Sequence, residues 1–291
     1  MELDALAEIM AIRPVLKSAS EKFILPRFRK LKKEEIVRDG NPEKLVTLAD
    51  VEASRYVLEW CRKRLPGSFG EEEIGDERFR HDALWCLDPV DGTEEFRQGK
   101  DGFCIQASLL SKSPDSDSYC AAGGMIYLPL SGLFVYATEE HGPVWEKGGK
   151  TGMVAPVKEH GGLKAAVREI DPGRKLADFF AYAKEKGILF SQAGCGGAGH
   201  TFASMLLQKP SSPNVLIFNR DFSKEWDLSP AANALERAGW SLCDMEGEEF
   251  AYNRKDPVNR MGFVAAPKAR IGEVLGAIKS YGASKLLEPM Q

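Results

Sequence analysis

The sequence predicts an α/β protein with an α+β amino-terminal half and an α/β carboxyl-terminal half. Apolar residues recur at helical spacing near the start of the chain, and strand-like segments separated by turn residues follow between residues 83 and 137. After about residue 155, helical and strand patterns alternate, which favours an α/β arrangement. We therefore expect two units, residues 1–155 and residues 156–291.

The amino-terminal half begins with two predicted helices. Apolar side chains recur over residues 3–28, and a bend is expected near Pro14 or Pro26. The second helix covers residues 49–65 and ends before Pro66. The predicted strands are 83–88, 103–110, 123–128 and 132–137, and the last two are expected to form a hairpin.

The carboxyl-terminal half is predicted to alternate helices with strands. The helices are 173–186, 199–207, 229–238 and 268–281, and the strands are 188–190, 215–218, 240–244 and 262–266. The helix at 229–238 has the clearest end signals. Ser229 is expected to cap its start, Pro230 to occupy its first position and Gly239 to follow its end.

The charge and the amino-terminal sequence limit the classes of partner. The 291-residue chain has a formal net charge of −4, which provides no general attraction for nucleic acid or anionic lipid. A bound phosphate would therefore need a local cation. The first ten residues contain no basic segment, and no apolar run approaches the ~20 residues of a membrane span. We expect a cytoplasmic protein that binds neither nucleic acid nor membrane.

The cysteines and histidines do not form a known metal-binding pattern. The six cysteines are scattered without a CxxC pair, and none of the four histidines lies in an HxH or HExxH motif. We interpret the cysteines mainly as reduced core residues. A histidine-rich metal centre is excluded.

Two neighbouring aspartates follow the first predicted strand. Asp88 and Asp91 flank a proline-led turn in the segment WCLDPVDGT. Both carboxylates and the Val90 carbonyl can converge there on hard cations, which prefer oxygen ligands. Without cations, two close carboxylates raise the pKa of one of them. Taken alone, the pair could equally be solvated acids in a turn.

Three further acids lie in comparable contexts. Glu71 stands in the segment GEE, Asp227 ends the segment EWD and Asp50 ends the segment VTLAD. Each has an ordinary alternative, since Glu71 could be surface charge and the two aspartates could cap helices. Their chemical significance depends on their occurring together.

Together, the four segments around Asp50, Glu71, Asp88 and Asp227 resemble, in order, the motifs of the inositol monophosphatase superfamily. The resemblance extends from about residue 37 to residue 266. The DPxDGT element is highly specific for the family when the other three motifs accompany it. It implies a layered αβαβα sugar-phosphatase fold, an active site between the two halves and two or three bound Mg²⁺ ions.

The resemblance also implies roles for individual residues. Glu71, Asp88 and the Val90 carbonyl would hold one metal, and Asp88, Asp91 and Asp227 a second. Asp50 and Thr93 resemble the pair that polarises the attacking water, and Glu71 counts with them among the catalytic residues. Two cations can lower the pKa of that water and neutralise the phosphoryl group. Gly92 and Thr93 would offer backbone N–H groups to the phosphate.

Two positions depart from the family pattern. Gly197-Ala198 occupies the place of the usual Gly-Ser or Gly-Thr substrate loop, so a hydroxyl is lost. Asp39 stands where many inositol monophosphatases carry lysine. It could act as an additional base or water ligand, or simply as an acid in a turn.

The substrate is predicted from weaker features. DGTEEF at 91–96 and the segment 251–263 resemble the 3′(2′),5′-bisphosphate nucleotidases, whereas the spacing from Pro42 to Asp50 resembles inositol monophosphatases. We expect a Mg²⁺-dependent, lithium-sensitive phosphomonoesterase, monomeric or homodimeric, that converts 3′-phosphoadenosine 5′-phosphate to AMP. Inositol 1-phosphate and histidinol phosphate are the alternative substrates. Arg254 and Lys255 are the candidates for contact with the distal phosphate, although both could point into solvent.

Segment 194–201, GCGGAGHT, supports a rival class. It matches the P-loop pattern with His200 in place of lysine. A neutral histidine cannot supply the fixed charge of that lysine, and no Walker-B strand is obvious. A catalytically inactive relative that binds phosphates is a third alternative, which the presence of all the carboxylates disfavours.

Overall fold

A computed structural model describes residues 3–38, 45–113, 116–158, 162–168, 174–220 and 223–287. The helices in these ranges are α1 Ala5–Ala19, α2 Leu48–Arg64, α3 Thr93–Arg97, α4 Arg174–Glu185, α5 Ala198–Leu207, α6 Glu225–Arg237, α7 Ile271–Tyr281 and α8 Ala283–Leu286. Shorter helical turns cover Ser20–Ile24, Lys33–Glu35 and Asp76–Arg80. Within these ranges no helix has both the length and the apolar composition needed to cross a membrane.

The described strands form one large sheet and three small ones. The strands are β1 Ile36–Arg38, β2 Leu45–Thr47, β3 Phe69–Gly70, β4 Ala83–Asp91, β5 Cys104–Lys112, β6 Tyr119–Leu128, β7 Leu133–Thr138, β8 Val144–Lys147, β9 Lys150–Met153, β10 Leu163–Arg168, β11 Phe190–Cys195, β12 Leu216–Phe218, β13 Trp240–Cys243 and β14 Phe263–Pro267. The large sheet has the order β3-β4-β5-β6-β7-β8-β9 and is antiparallel except for the parallel β3–β4 pair. The small sheets are β1-β2, the parallel pair β10-β11 and the antiparallel set β12-β14-β13.

Both faces of the large sheet are buried, and β4 shows why. Trp85 and Leu87 belong to the hydrophobic cluster that α1 and α2 form on one face. Leu84 and Cys86 belong to the cluster that α5 and α6 form on the other. Because successive side chains of a strand point to opposite faces, a strand covered on both sides is apolar throughout.

The small sheets extend this layering. The cluster around α5 and α6 also contains Leu216 and Ala265 of the small sheets, so these helices lie between two β-layers. The opposite face of the small sheets packs against α4 and α7. The order is therefore α, β, α, β, α, which confirms the predicted fold class. The division at residue 155 stays a prediction, since α6 of the second half packs on the sheet of the first.

The structure corrects several predicted bounds. Helix α6 begins at Glu225, not at Ser229, and Pro230 lies inside it. The strand predicted at 188–190 is β11, Phe190–Cys195. Helix α2, the β6–β7 hairpin and the turn at Gly239 are confirmed. All six cysteines are free thiols within the described ranges, as predicted.

Gly124 allows α6 to approach the large sheet closely. A Cβ at this position would lie 2.2 Å from the Pro230 carbonyl oxygen, a backbone atom that cannot turn away. We expect Gly124→Ala to lower the free energy of unfolding by about 1–3 kcal/mol because the core has no room for the methyl group. Chemical denaturation would measure it. Gly276→Ala, on α7 with no atom near the added Cβ, is the matched control and is expected to stabilise by about 0.5–1 kcal/mol. Equal effects at both positions would contradict the prediction.

Candidate active site

A cavity of about 240 Å³ opens where β4 ends, beside the first turns of α5 and α6. Four acidic side chains of the sequence prediction line it: Glu71, Asp88, Asp91 and Asp227. Val90, Gly92, Thr93, Gly197 and Ala198 line it as well. The structure therefore brings together segments that are far apart in the sequence.

Three of these acids form a tight cluster. Asp88, Asp91 and Asp227 each offer a carboxylate oxygen, and these oxygens lie within 4.8 Å of one another. The pairing of β4 with β5 shifts register between Asp88 and Asp91, and this irregularity lies at the end of the strand where the cluster forms. Asp227 comes from the first turn of α6, where its Oδ2 accepts the Lys224 N–H at 2.6 Å.

The surroundings oppose ionisation of these carboxyl groups. Burial raises the pKa of Asp88 well above its ordinary value, and the charges of Glu71, Asp91, Asp227 and Asp50 raise it further. Part of the Asp227 residue remains exposed, but its carboxyl group lies deep among protein atoms. This burial raises the pKa of Asp227 to about 7, and the charges of Asp91 and Glu71 raise it further. A proton or a cation is needed to neutralise the cluster. Its donors are all hard oxygens, which fits Mg²⁺.

Asp50 and Thr93 are in direct contact. Asp50 is 1% exposed, and its Oδ1 accepts a hydrogen bond from Thr93 Oγ1 at 3.1 Å. Its Oδ2 accepts from the N–H and the hydroxyl of Thr47 at 2.8 and 2.5 Å. Burial raises the pKa of Asp50 to about 6, although the hydrogen bonds from Thr47 oppose the shift. The Asp50 carboxylate is thus held by hydrogen bonds at both of its oxygens.

Comparison with known protein families identifies relatives of this chain. The model of the inositol monophosphatase family matches residues 6–280. The chain belongs to this family. The resemblance predicted from the four motifs is therefore confirmed. Relatives in the family are named as phosphatases, so the protein is a phosphoric monoester hydrolase. Enzymes of this family are metal-dependent, and the buried acidic cluster is consistent with that.

Relatives with two different substrates match this phosphatase at low identity. A 3′-phosphoadenosine 5′-phosphate phosphatase of Mycobacterium tuberculosis is 24% identical over 220 residues, which are 74% of this chain and 75% of the relative. An inositol-1-monophosphatase of Bacillus subtilis is 22% identical over 223 residues, 73% of this chain and 77% of the relative. The relatives of this chain therefore include both a nucleotide phosphatase and an inositol phosphatase.

Solved structures share the fold. CysQ from Bacteroides thetaiotaomicron, a bacterial member of the family, aligns with a TM-score of 0.71 and 20% identity over 91% of this chain and 98% of that one. A Thermotoga maritima IMPase aligns with a TM-score of 0.70 and 17% identity over 94% and 97%. At these identities the likeness concerns the fold alone.

The start of α5 binds Asp91. Asp91 Oδ1 accepts the Ala198 N–H at 3.1 Å, and Oδ2 accepts the Gly199 N–H at 2.9 Å. A Cβ at Gly197 would lie 2.4 Å from Asp91 Oδ2, so the close approach requires glycine. The structure thus gives the Ala198 N–H a protein partner in this family member, where the sequence predicted a substrate contact.

The same contacts contradict the P-loop alternative. A P-loop uses the backbone N–H groups at the start of its helix to hold phosphates, and here two of them hold a carboxylate. Burial also lowers the pKa of His200, against the opposing charge of Asp101. A neutral imidazole cannot replace the P-loop lysine.

Gly92 is conformationally required where it precedes α3. Its φ is +83°, and a Cβ there would lie 2.7 Å from the Gly102 carbonyl oxygen. Thr93 then begins α3, and its hydroxyl lies 3.0 Å from the Val90 carbonyl as well as facing Asp50. Both residues therefore line the cavity beside the acidic cluster, and their contact with a phosphate stays a prediction.

Arg254 and Lys255 lie elsewhere. Neither is among the residues that line the cavity. Arg254 Nη2 donates to the Pro257 carbonyl at 3.0 Å and to Asn259 Oδ1 at 2.5 Å, and Lys255 is exposed. The Arg254 guanidinium is thus bonded within its own loop and does not line the cavity. Asp39 lies outside the described residues.

Sequence reasoning missed two basic residues of the site. Arg220 and Lys224 line the cavity together with Phe218. They stand seven and three positions before Asp227. Their closeness to Asp227 in the sequence could have indicated that they belong to the site, because a phosphatase of net negative charge needs positive side chains near its metal ligands.

Proposed function

We propose that this phosphatase is a Mg²⁺-dependent 3′(2′),5′-bisphosphate nucleotidase that hydrolyses 3′-phosphoadenosine 5′-phosphate to AMP. The observation that carries the proposal is the composition of the cavity. It combines the acidic cluster with two cations, Arg220 and Lys224, and an aromatic face, Phe218. A substrate with a reacting phosphate, a second phosphate and a flat base would use all three features.

The acidic residues are assigned to the metal. Glu71, Asp88, Asp91 and Asp227, with the Val90 carbonyl, would hold Mg²⁺, which supplies a water of lowered pKa and neutralises the phosphoryl oxygens. Asp50 accepts a hydrogen bond from the Thr93 hydroxyl, which leaves the Thr93 oxygen able to accept a hydrogen bond from the attacking water. Backbone N–H groups of Gly92 and Thr93 are assigned to the phosphate.

The far side of the cavity is assigned to the nucleoside and its second phosphate. Phe218 stacks on Phe263 with ring centroids 4.9 Å apart and planes within 7° of each other, so its orientation is fixed. An adenine ring can pack against such an aromatic side chain. Arg220 offers a planar fork that binds phosphate oxygens in pairs. These contacts would discriminate a nucleotide from inositol 1-phosphate.

The proposal predicts a higher kcat/KM for 3′-phosphoadenosine 5′-phosphate than for inositol 1-phosphate or histidinol phosphate. A phosphate-release assay on the purified protein compares the three. Arg220→Ala is expected to lower kcat/KM for the bisphosphate by about 5- to 150-fold, the equivalent of about 1–3 kcal/mol for a charged hydrogen bond. Adenosine 3′-phosphate, which lacks the second phosphate, is the matched control and should be nearly unaffected.

Two outcomes would contradict parts of this proposal. A preference for inositol 1-phosphate would contradict the proposed substrate but not the proposed metal-dependent phosphatase activity. An equal loss with adenosine 3′-phosphate in Arg220→Ala would assign Arg220 to the reacting phosphate.

A further inference from the structure

An irregular loop, residues 252–259, lies against the start of α6. The Asn259 N–H donates to the Ser223 carbonyl at 2.7 Å, and the Glu225 N–H donates to the Pro257 carbonyl at 3.1 Å. Lys224 and Val258 form an antiparallel bridge between these hydrogen bonds. The loop is therefore fixed to the segment that delivers Asp227.

Arg78 fixes the same loop to the segment that delivers Glu71. Arg78 lies in the helical turn Asp76–Arg80 and is 2% exposed. Its Nη1 donates to Asn253 Oδ1 and to the Arg254 carbonyl, both at 2.9 Å. Asn253 returns a hydrogen bond from Nδ2 to the Arg78 carbonyl at 3.3 Å. One buried guanidinium thus joins two segments that are remote in sequence.

Arg254 fixes the other end of the same loop. Its Nη2 donates to the Pro257 carbonyl at 3.0 Å and to Asn259 Oδ1 at 2.5 Å. Both acceptors belong to residues whose backbone is hydrogen-bonded to the start of α6. Glu225 is 0% exposed at this point, and burial raises its pKa to about 7, although the charges of Arg254 and Arg78 oppose the shift. The loop is therefore held by the two guanidinium groups through hydrogen bonds to its own backbone and amide side chains.

We propose that Arg78, Asn253 and Arg254 form a positioning network that fixes the spacing between Glu71 and Asp227. None of the three lines the cavity, so they act through the residues they hold. The inference rests on the proposed metal-binding roles of Glu71 and Asp227. A metal centre needs its ligands held to within about 0.5 Å, and groups behind the ligands supply that rigidity.

The test measures Mg²⁺ binding directly by calorimetry, without substrate. Arg78→Lys and Arg254→Lys each keep the positive charge and remove the planar fork that makes two hydrogen bonds at once. Each is expected to weaken Mg²⁺ binding by about 10- to 100-fold, the range for residues that orient metal ligands. With excess Mg²⁺, kcat should largely recover, because the metal ligands themselves are intact. Arg260→Gln removes an exposed ion pair to Asp256 in the same region, at 2.7 Å, and is the control with unchanged binding.

Each outcome decides the proposal. Unchanged Mg²⁺ affinity in folded Arg254→Lys and Arg78→Lys would overturn it, as would loss of folding in both, which would assign the network to stability alone. Weakened binding in Arg260→Gln would also overturn it. Asp88→Asn, measured in parallel, separates this question from the proposed function: if Mg²⁺ binding survives in that variant, the metal centre itself is wrongly placed.

Discussion

Asp88→Asn is expected to lower kcat by roughly 1,000-fold or more while the protein stays folded. Asp88 is assigned to both metals, so one substitution weakens the whole centre. The fold should tolerate asparagine, since its Oδ1 can still accept the Val90 N–H that Asp88 Oδ1 accepts at 3.0 Å. Steady-state phosphate release, with circular dichroism to verify folding, measures both effects.

The same variant should be more stable than the wild type when metal is absent. Burial and the charges of Glu71, Asp91, Asp227 and Asp50 oppose ionisation of Asp88, and the neutral amide removes that repulsion. We expect the metal-free unfolding temperature to rise by a few degrees. Asp82→Asn, an exposed aspartate just before β4, is the matched control with unchanged kcat and stability. A rate near that of the wild type in Asp88→Asn would refute the assignment of the metal centre.

The acidic cluster was predictable from the sequence, and its surroundings were not. Asp88 and Asp91 are three residues apart in a turn, so their proximity follows from the local chain. Asp227 could be added only because its motif accompanies theirs in the family. The contacts that fix Asp91 come from the N–H groups of Ala198 and Gly199, more than a hundred residues away, and no local pattern reveals them.

The start of α6 shows how local signals mislead. Ser229 and Pro230 have the sequence signature of a helix start. In the structure, the Asp227 carboxylate accepts the Lys224 N–H, and the buried Trp226 and Leu228 pack in the core, so the helix begins earlier. Tertiary packing therefore prevails over the local signal at this site. Ser229 instead makes a buried hydrogen bond to Ser108 at 2.6 Å.

Arg254 and Arg220 illustrate the limit for single side chains. Both are basic residues in irregular segments, and composition does not distinguish them. Arg254 donates to Pro257 and Asn259 of its own loop, whereas Arg220 lines the cavity. Which of the two faces the cavity depends on the acceptors that the folded loop offers, and those are a property of the folded chain.

Removal of divalent metal is expected to abolish turnover and to make stability fall as the pH rises. In the metal-free protein, burial raises the pKa of Asp50 to about 6 and that of Asp88 well above its ordinary value, whereas in the unfolded chain both titrate near about 4. Above about pH 4 the folded protein therefore binds more protons than the unfolded chain. The free energy of unfolding must then decrease with pH until the folded groups have ionised, by on the order of a few kcal/mol.

Thermal unfolding in EDTA should therefore give a lower midpoint at about pH 8 than at about pH 5, and excess Mg²⁺ should restore the loss at the higher pH because it binds the ionised form. Asp88→Asn, with one fewer buried carboxyl group, should show a weaker pH dependence. A midpoint in EDTA that does not change with pH would show that these carboxyl groups are not buried together as the structure places them.

Turnover itself should respond to other cations. Excess Ca²⁺ is expected to inhibit phosphate release, since its longer and more flexible coordination does not reproduce that of Mg²⁺. The family resemblance also predicts inhibition by Li⁺. Undiminished phosphate release in EDTA would refute the metal mechanism.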